Sequence, residues 1–195
     1  MLLHEKLKDK RLILASKSPR RRELMKGAGL EFTLADGYDV EEVYPESLRP
    51  RDVPLYLARL KSRAYPRPLA ENEILITADT VVILDGRIIG KPADRDDAVR
   101  MLSDLSGREH VVITGVELRS ARKSKGFSVG SRVLFRELSQ EEIEYYVDTY
   151  EPYDKAGAYG IQEWIGYVGI KGVKGSFYNV MGLPIQSLYV NLTKF

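Results

Sequence analysis

The stretch RLILASKSPRRRELMKGAG, residues 11–29, decides the fold class. RLILA is a short apolar run of the kind a buried strand needs. SPRRRELMKGAG behind it has helical spacing, with Leu24 and Ala28 four apart. Ser18 before Pro19 predicts an N-cap followed by the first helical residue, and Gly27 and Gly29 are available to stop the helix. A strand, a loop and a helix in so short a stretch open an α/β unit.

The same residues pose an electrostatic question. Arg20, Arg21 and Arg22 fall at the positive end of the helix dipole, where each misplaced cation costs about 0.3–1 kcal/mol. A charge-assisted hydrogen bond returns about 1.5–3 kcal/mol. Two readings stay open: solvated arginines on a capped helix, or a phosphate site at the helix N-terminus that includes Ser16.

Working outward, EFTLA at 31–35 reads as a second strand and DGYDVEEVYPESLRP at 36–50 as an acidic loop. DVPLYLARLKSRA places Val53, Leu57, Leu60 and Ala64 on one helical stripe, with Lys61 beside it. EILITADTVVIL at 73–84 is the strongest strand signal, and Asp79 is its one charged interior residue. Asp85–Gly86 then predicts a hairpin into RIIGKP, which makes the sheet mixed. DRDDAVRMLSDLSG at 94–107 has a helix's acidic first turn and closing glycine.

HVVITGVEL and SRVLFREL read as strands joined by the basic segment RSARKSKG, a solvated loop without the aromatic residues of a single-strand binder. Ser139 and Glu142 predict a capping box for SQEEIEYYVDTY. From 151 the chain reads as irregular and glycine-rich until a last helix near LPIQSLYVNL. Nothing repeats and no low-complexity linker intervenes, so residues 1–195 read as a single domain.

Bulk composition narrows the chemistry. The net charge is only +2, from 30 basic and 28 acidic residues, which argues against a general nucleic-acid surface. Cysteine is absent and the two histidines are His4 and His110. Thiolate chemistry, a histidine-rich zinc site and a Ser-His-Asp triad are thereby disfavoured. Carboxylates and lysines are left, with divalent ions of the magnesium or manganese kind. No run approaches the roughly 20 apolar residues of a membrane span, and the N-terminus is too charged for a secretory core, so no membrane partner and a cytoplasmic location are expected.

A buried carboxylate needs a partner. Asp79 therefore reads either as a functional aspartate where a strand opens into a cleft, or as a structural one satisfied by Thr77 or Thr80. Glu41 and Glu42 read alone as solvated, and Lys61 and Lys91 as either surface lysines or phosphate contacts. DKAGAYGIQ, 154–162, suits close approach to a backbone, and the Gln162 amide suits the edge of a nucleobase.

LASKSPRR, LKSRA, ADTVVILDGRIIGKP, LSGREHVVITGV, EPYDKAGAYGIQ and SFYNVMGLP, in that order, resemble the Maf family of nucleotide pyrophosphatases. The resemblance covers residues 11–195 and leaves 1–10 as an N-terminal extension. It implies a mixed, elongated β-sheet flanked by helices, with two lobes around a central cleft, and a homodimer. It also implies hydrolysis of nucleoside triphosphates to monophosphate and pyrophosphate with a divalent cation, magnesium or manganese.

Carried over by position, the resemblance assigns phosphate contacts to Ser16, Arg20, Arg21, Lys61 and Lys91. Metal contacts fall to Glu42 and Asp79, with Asp79 also the proton acceptor; Thr80, Gln162 and Arg21 match positions of substrate choice. Lys91 and AGAYGIQ are similar to the branch acting on dTTP and UTP, with a house-cleaning role; the family's other branch, acting on 7-methyl-GTP, is the alternative within the same chemistry. Lys17 and Gly90 depart from that pattern, Gly90 bearing on specificity. The family's association with cell-division arrest supplies a reading of another class, a non-catalytic regulator of septum formation. The intact Glu42 and Asp79 favour the enzyme.

Overall fold

A computed structural model describes residues 2–195. In chain order its elements begin with α1 (Leu3–Lys6), β1 (Arg11–Leu14), α2 (Pro19–Gly27), β2 (Phe32–Leu34), α3 (Val53–Arg63), β3 (Glu73–Leu84) and β4 (Arg87–Ile89). They continue with α4 (Arg95–Leu105), β5 (Glu109–Arg119), β6 (Ser124–Phe135), α5 (Gln140–Tyr150), α6 (Trp164–Gly169), β7 (Ile170–Lys174), α7 (Phe177–Met181) and α8 (Ile185–Lys194).

The described strands form one seven-stranded sheet in the order β2-β1-β3-β5-β6-β7, with β4 also paired to β3. β1 runs parallel to both β2 and β3, whereas β4 is antiparallel to β3 and β7 to β6. The sheet is therefore mixed, and Asp85–Gly86 closes the β3–β4 hairpin with positive φ at both residues. All of β3 except Thr80 and Ile83 is buried, as a strand covered on both faces requires.

The chain divides into two compact units. Among the described residues, the first holds 2–79, 114–129 and 182–195. Leu12, Ile13 and Leu14 of β1, Met25, Leu57, Ala58, Leu75 and Ile76 are buried in it. The helix face of α3 differs from its expected stripe: Ala58 and Ser62 are buried, Leu60 is half-buried and Ala64 is exposed.

Gly115 on β5 explains how closely α3 packs, because an added Cβ would stand 2.3 Å from Leu55 N. At the start of β3, Glu73 is buried and clamped by Arg67 through two hydrogen bonds of 2.7 and 2.9 Å, and by Arg11. Residues 2–10 also belong to this unit: Leu3 is buried, and its N–H donates to the Tyr189 hydroxyl of α8 at 3.3 Å.

The second unit holds residues 80–113 and 130–181. Its core joins Val82 and Leu84 of β3, Ala98, Leu102 and Leu105 of α4, Phe135 of β6 and Ile143, Tyr146 and Val147 of α5. Ser139 and Glu142 form the expected capping box.

Two sequence readings change. β6 begins at Ser124, so half of the supposed basic loop belongs to strands, and the Ser120 N–H bonds Lys123 O at 2.8 Å to close the turn. The alternating small and polar residues of that segment hid a half-exposed strand. Beyond 151, α6 and β7 form despite the glycines. Gly166 there permits a contact that a side chain would block, since a Cβ would fall 1.7 Å from Ile161 O.

Candidate active site

In the first unit, Asp79 is 8% exposed in the interior of β3. Its Oδ1 accepts a 2.6 Å hydrogen bond from Lys61 Nζ. The same ammonium stands 2.9 Å from Glu42 Oε1, so one lysine is shared by two carboxylates from different parts of the chain. The last turn of α3 presents it, and the Tyr38 hydroxyl ties that turn down by donating to Lys61 O at 2.8 Å. Burial pushes the Tyr38 phenol up to about 12, so it stays a donor. Thr77 is not the partner of Asp79: its hydroxyl donates to Ala58 O at 2.7 Å.

Burial pushes the Asp79 carboxyl above its ordinary value, with Lys61 and Arg21 pulling it back down and Glu42 adding to the rise. Arg21 is braced by the backbone, donating from Nε to Gly182 O at 2.7 Å and from Nη1 to Ala78 O at 2.9 Å. A longer contact of 3.4 Å reaches Ser16 Oγ. Burial depresses the Arg21 guanidinium, the Asp79 and Glu42 charges raise it, and the neighbouring Arg20 lowers it further. Ser16, Arg20, Arg21, Glu42, Lys61 and Asp79 thus belong to one unit, and Arg21, Lys61, Glu42 and Asp79 are electrostatically joined.

The arginine stack also resolves locally. Arg22 is half-buried and donates to Lys17 O at 3.1 Å, which corrects its reading as a solvated side chain. Ser18 occupies the N-cap position before Pro19, but its side chain makes no cap bond. Its backbone N–H donates to Ser16 Oγ at 3.2 Å.

The remaining expected residues lie in the second unit. Thr80 is half-buried and follows Asp79 in β3. Lys91 is exposed just beyond β4, and Gly157 N–H donates to Gly90 O at 2.9 Å, joining that segment to the 154–162 loop. Gln162 is half-buried on this loop; among the described residues its Oε1 is buried without a hydrogen-bond partner. An orphaned buried acceptor costs about 1–3 kcal/mol, so a ligand that donates to it gains that much.

The donor set bears on a cation. Among the described residues no group of three or more His, Asp or Glu side chains is placed to hold a metal ion. Glu42 and Asp79 supply two hard carboxylates, already arranged around the positive charge of Lys61. Magnesium-type ions are commonly held by one or two carboxylates completed by water and substrate phosphates, and these residues fit that chemistry.

Residues 11–195 match the family model described as Maf-like protein. The chain belongs to the Maf-like family. It is 52% identical to a dTTP/UTP pyrophosphatase of Parabacteroides distasonis, across 98% of this chain and 99% of that one. It is 54% identical to a dTTP/UTP pyrophosphatase of Bacteroides thetaiotaomicron, with 94% and 95% covered. The corresponding protein of Porphyromonas gingivalis is 53% identical, with 98% and 97% covered. Among solved structures, a HAM1 protein from Coxiella burnetii shares the fold at a TM-score of 0.50 and 14% identity, covering 95% of this chain and all of that one.

Sequence reasoning missed Tyr38, Tyr146 and Glu163. Tyr38 sits in an acidic loop without periodicity, and Tyr146 looks like any core aromatic of an amphipathic helix. Lys155 carried a signal, since a lone lysine inside the small-residue run DKAGAYG needs a buried anion.

Proposed function

We propose that this Maf-like chain is an enzyme that hydrolyses dTTP and UTP to the nucleoside monophosphate and pyrophosphate. The observation that carries this is Asp79, a buried carboxylate that accepts a hydrogen bond from the Lys61 ammonium beside the braced guanidinium of Arg21. Water attacks the α-phosphorus while Asp79 accepts a proton from it. The bond from the α-phosphorus to the bridging oxygen breaks, and that oxygen leaves with pyrophosphate. Ser16, Arg20, Arg21, Lys61 and Lys91 contact the polyphosphate and offset its charge. Glu42 and Asp79 would hold a divalent cation, magnesium or manganese, which neutralises phosphate charge when bound.

Thr80 and Gln162 serve substrate choice. Uracil and thymine present an N3–H donor that the unpartnered Gln162 Oε1 can accept, whereas N3 of cytosine is itself an acceptor. The relatives' activity on dTTP and UTP supports the same selection. A cytoplasmic location and a house-cleaning role belong to this reading; among the described residues no helix is long and apolar enough to cross a membrane. The exposed Tyr167, Phe177 and Tyr178 of the second unit support a homodimer, and sedimentation of a monomer at micromolar concentration would exclude it.

A pyrophosphate-release screen over dTTP, UTP, CTP, GTP and 7-methyl-GTP, with magnesium or manganese, tests the reading. Turnover led by dTTP and UTP supports it. Preference for 7-methyl-GTP, or no turnover at all, contradicts it.

A further inference from the structure

The turn that carries Gln162 is pinned by a network outside the polyphosphate-binding residues. Tyr146 of α5 is fully buried, and its hydroxyl accepts from Gly160 N–H at 3.0 Å while donating to Glu163 Oε2. The other oxygen, Glu163 Oε1, stands 3.2 Å from Lys155 Nζ. Lys155 is itself 8% exposed and also pairs with Asp154 at 2.7 Å. Glu163 N–H donates to Gly160 O at 3.0 Å, closing the turn around Gln162.

Gly160 is where these contacts meet. A Cβ there would lie 2.9 Å from Gln162 Nε2 and 2.9 Å from Glu163 Cδ. The Gln162 amide and the Glu163 carboxylate are both pressed against the same backbone unit that Tyr146 anchors.

The proton directions in this network are fixed. Glu163 is ion-paired with Lys155, and its carboxylate accepts. The Tyr146 phenol must then donate to it, which leaves the phenolic oxygen to receive Gly160 N–H. Burial and the Glu163 charge push the Tyr146 phenol well above its ordinary value, so it keeps the proton it donates.

We infer that Tyr146, acting with Glu163 and Lys155, is a positioning residue for pyrimidine selection, setting the attitude of the Gln162 amide toward the base. This rests on the proposed role of Gln162 in reading the base. Tyr146 touches neither the phosphates nor the reacting atoms; it acts through Gly160 and the turn. Its loss therefore alters base discrimination and KM and spares the chemical step.

The test is steady-state kinetics with dTTP and CTP on the full chain, comparing wild type, Gln162→Leu, Tyr146→Phe and the double variant. Tyr146→Phe is expected to raise KM for dTTP about tenfold, the worth of roughly one lost hydrogen bond, with kcat within about twofold of wild type. The dTTP-to-CTP ratio of kcat/KM narrows, and the double variant discriminates no worse than Gln162→Leu alone. If Gln162→Leu collapses the ratio and Tyr146→Phe preserves it, the inference is overturned and the base-reading role stands. If Gln162→Leu leaves the ratio intact, that role fails and the inference fails with it. Should Tyr146→Phe not fold, Glu163→Gln replaces it: a narrowed ratio supports the inference, and a wild-type ratio overturns it.

Discussion

Lys61 Nζ stands 2.6 Å from Asp79 Oδ1, and this contact works against burial on the proposed catalytic base. Burial favours neutral Asp79, while the ammonium favours the charged form. The two effects oppose each other, and burial prevails, so the folded carboxyl titrates above its ordinary 3.8.

The acid limb of kcat follows from that balance. A base must be ionised, so activity falls as pH drops through the raised Asp79 value. Lys61→Met removes the stabilising charge and is expected to move the acid limb to higher pH, besides weakening polyphosphate affinity. A pH profile of kcat at saturating dTTP measures this; an unmoved limb would separate Lys61 from the base.

The two arginines of α2 divide their work. Arg21 spans Gly182 O and Ala78 O, so Arg21→Ala is expected to lower Tm as well as activity. Arg20→Ala is expected to raise KM for triphosphates about tenfold or more, the value of a charge-assisted hydrogen bond. An unchanged KM would contradict a polyphosphate contact by Arg20.

Acid stability is tied to His110. The ring is 1% exposed, and burial pushes it down to about 4 from 6.5. The folded state thus binds fewer protons than the unfolded state between those values. The contribution to stability is complete above 6.5 and is lost as pH falls toward 4, amounting to about 3 kcal/mol. His110→Gln should flatten Tm across that window in calorimetry, and an unchanged slope would assign the acid loss elsewhere.

Close packing of α3 on β5 depends on Gly115. Gly115→Ala drives a Cβ into the Leu55 backbone and is expected to cost about 1–3 kcal/mol in urea unfolding. A neutral result would mean that α3 moves aside freely.

Local chemistry made much of this molecule legible in its sequence. The β1–α2 opening, the Asp85–Gly86 hairpin and the Ser139–Glu142 box each rest on neighbouring residues, and each formed. Asp79 stood out because a charge inside an apolar strand needs a partner. The partner was not legible, since Lys61 is 18 residues away on a helix whose buried face is decided by its packing against β5. β6 and β7 escaped because Gly, Ser and Lys carry little strand preference, and pairing decided their state. Tyr146 and Glu163 escaped because a network joining residues across a fold leaves no spacing to read.

The most direct test of the account is the turnover of dTTP by Asp79→Asn, measured as pyrophosphate release beside the dTTP dissociation constant. Loss of a general base is expected to lower kcat by about 10²–10⁴-fold while nucleotide binding persists. Near-wild-type turnover by Asp79→Asn would contradict the central claim that this buried carboxylate takes the proton from water.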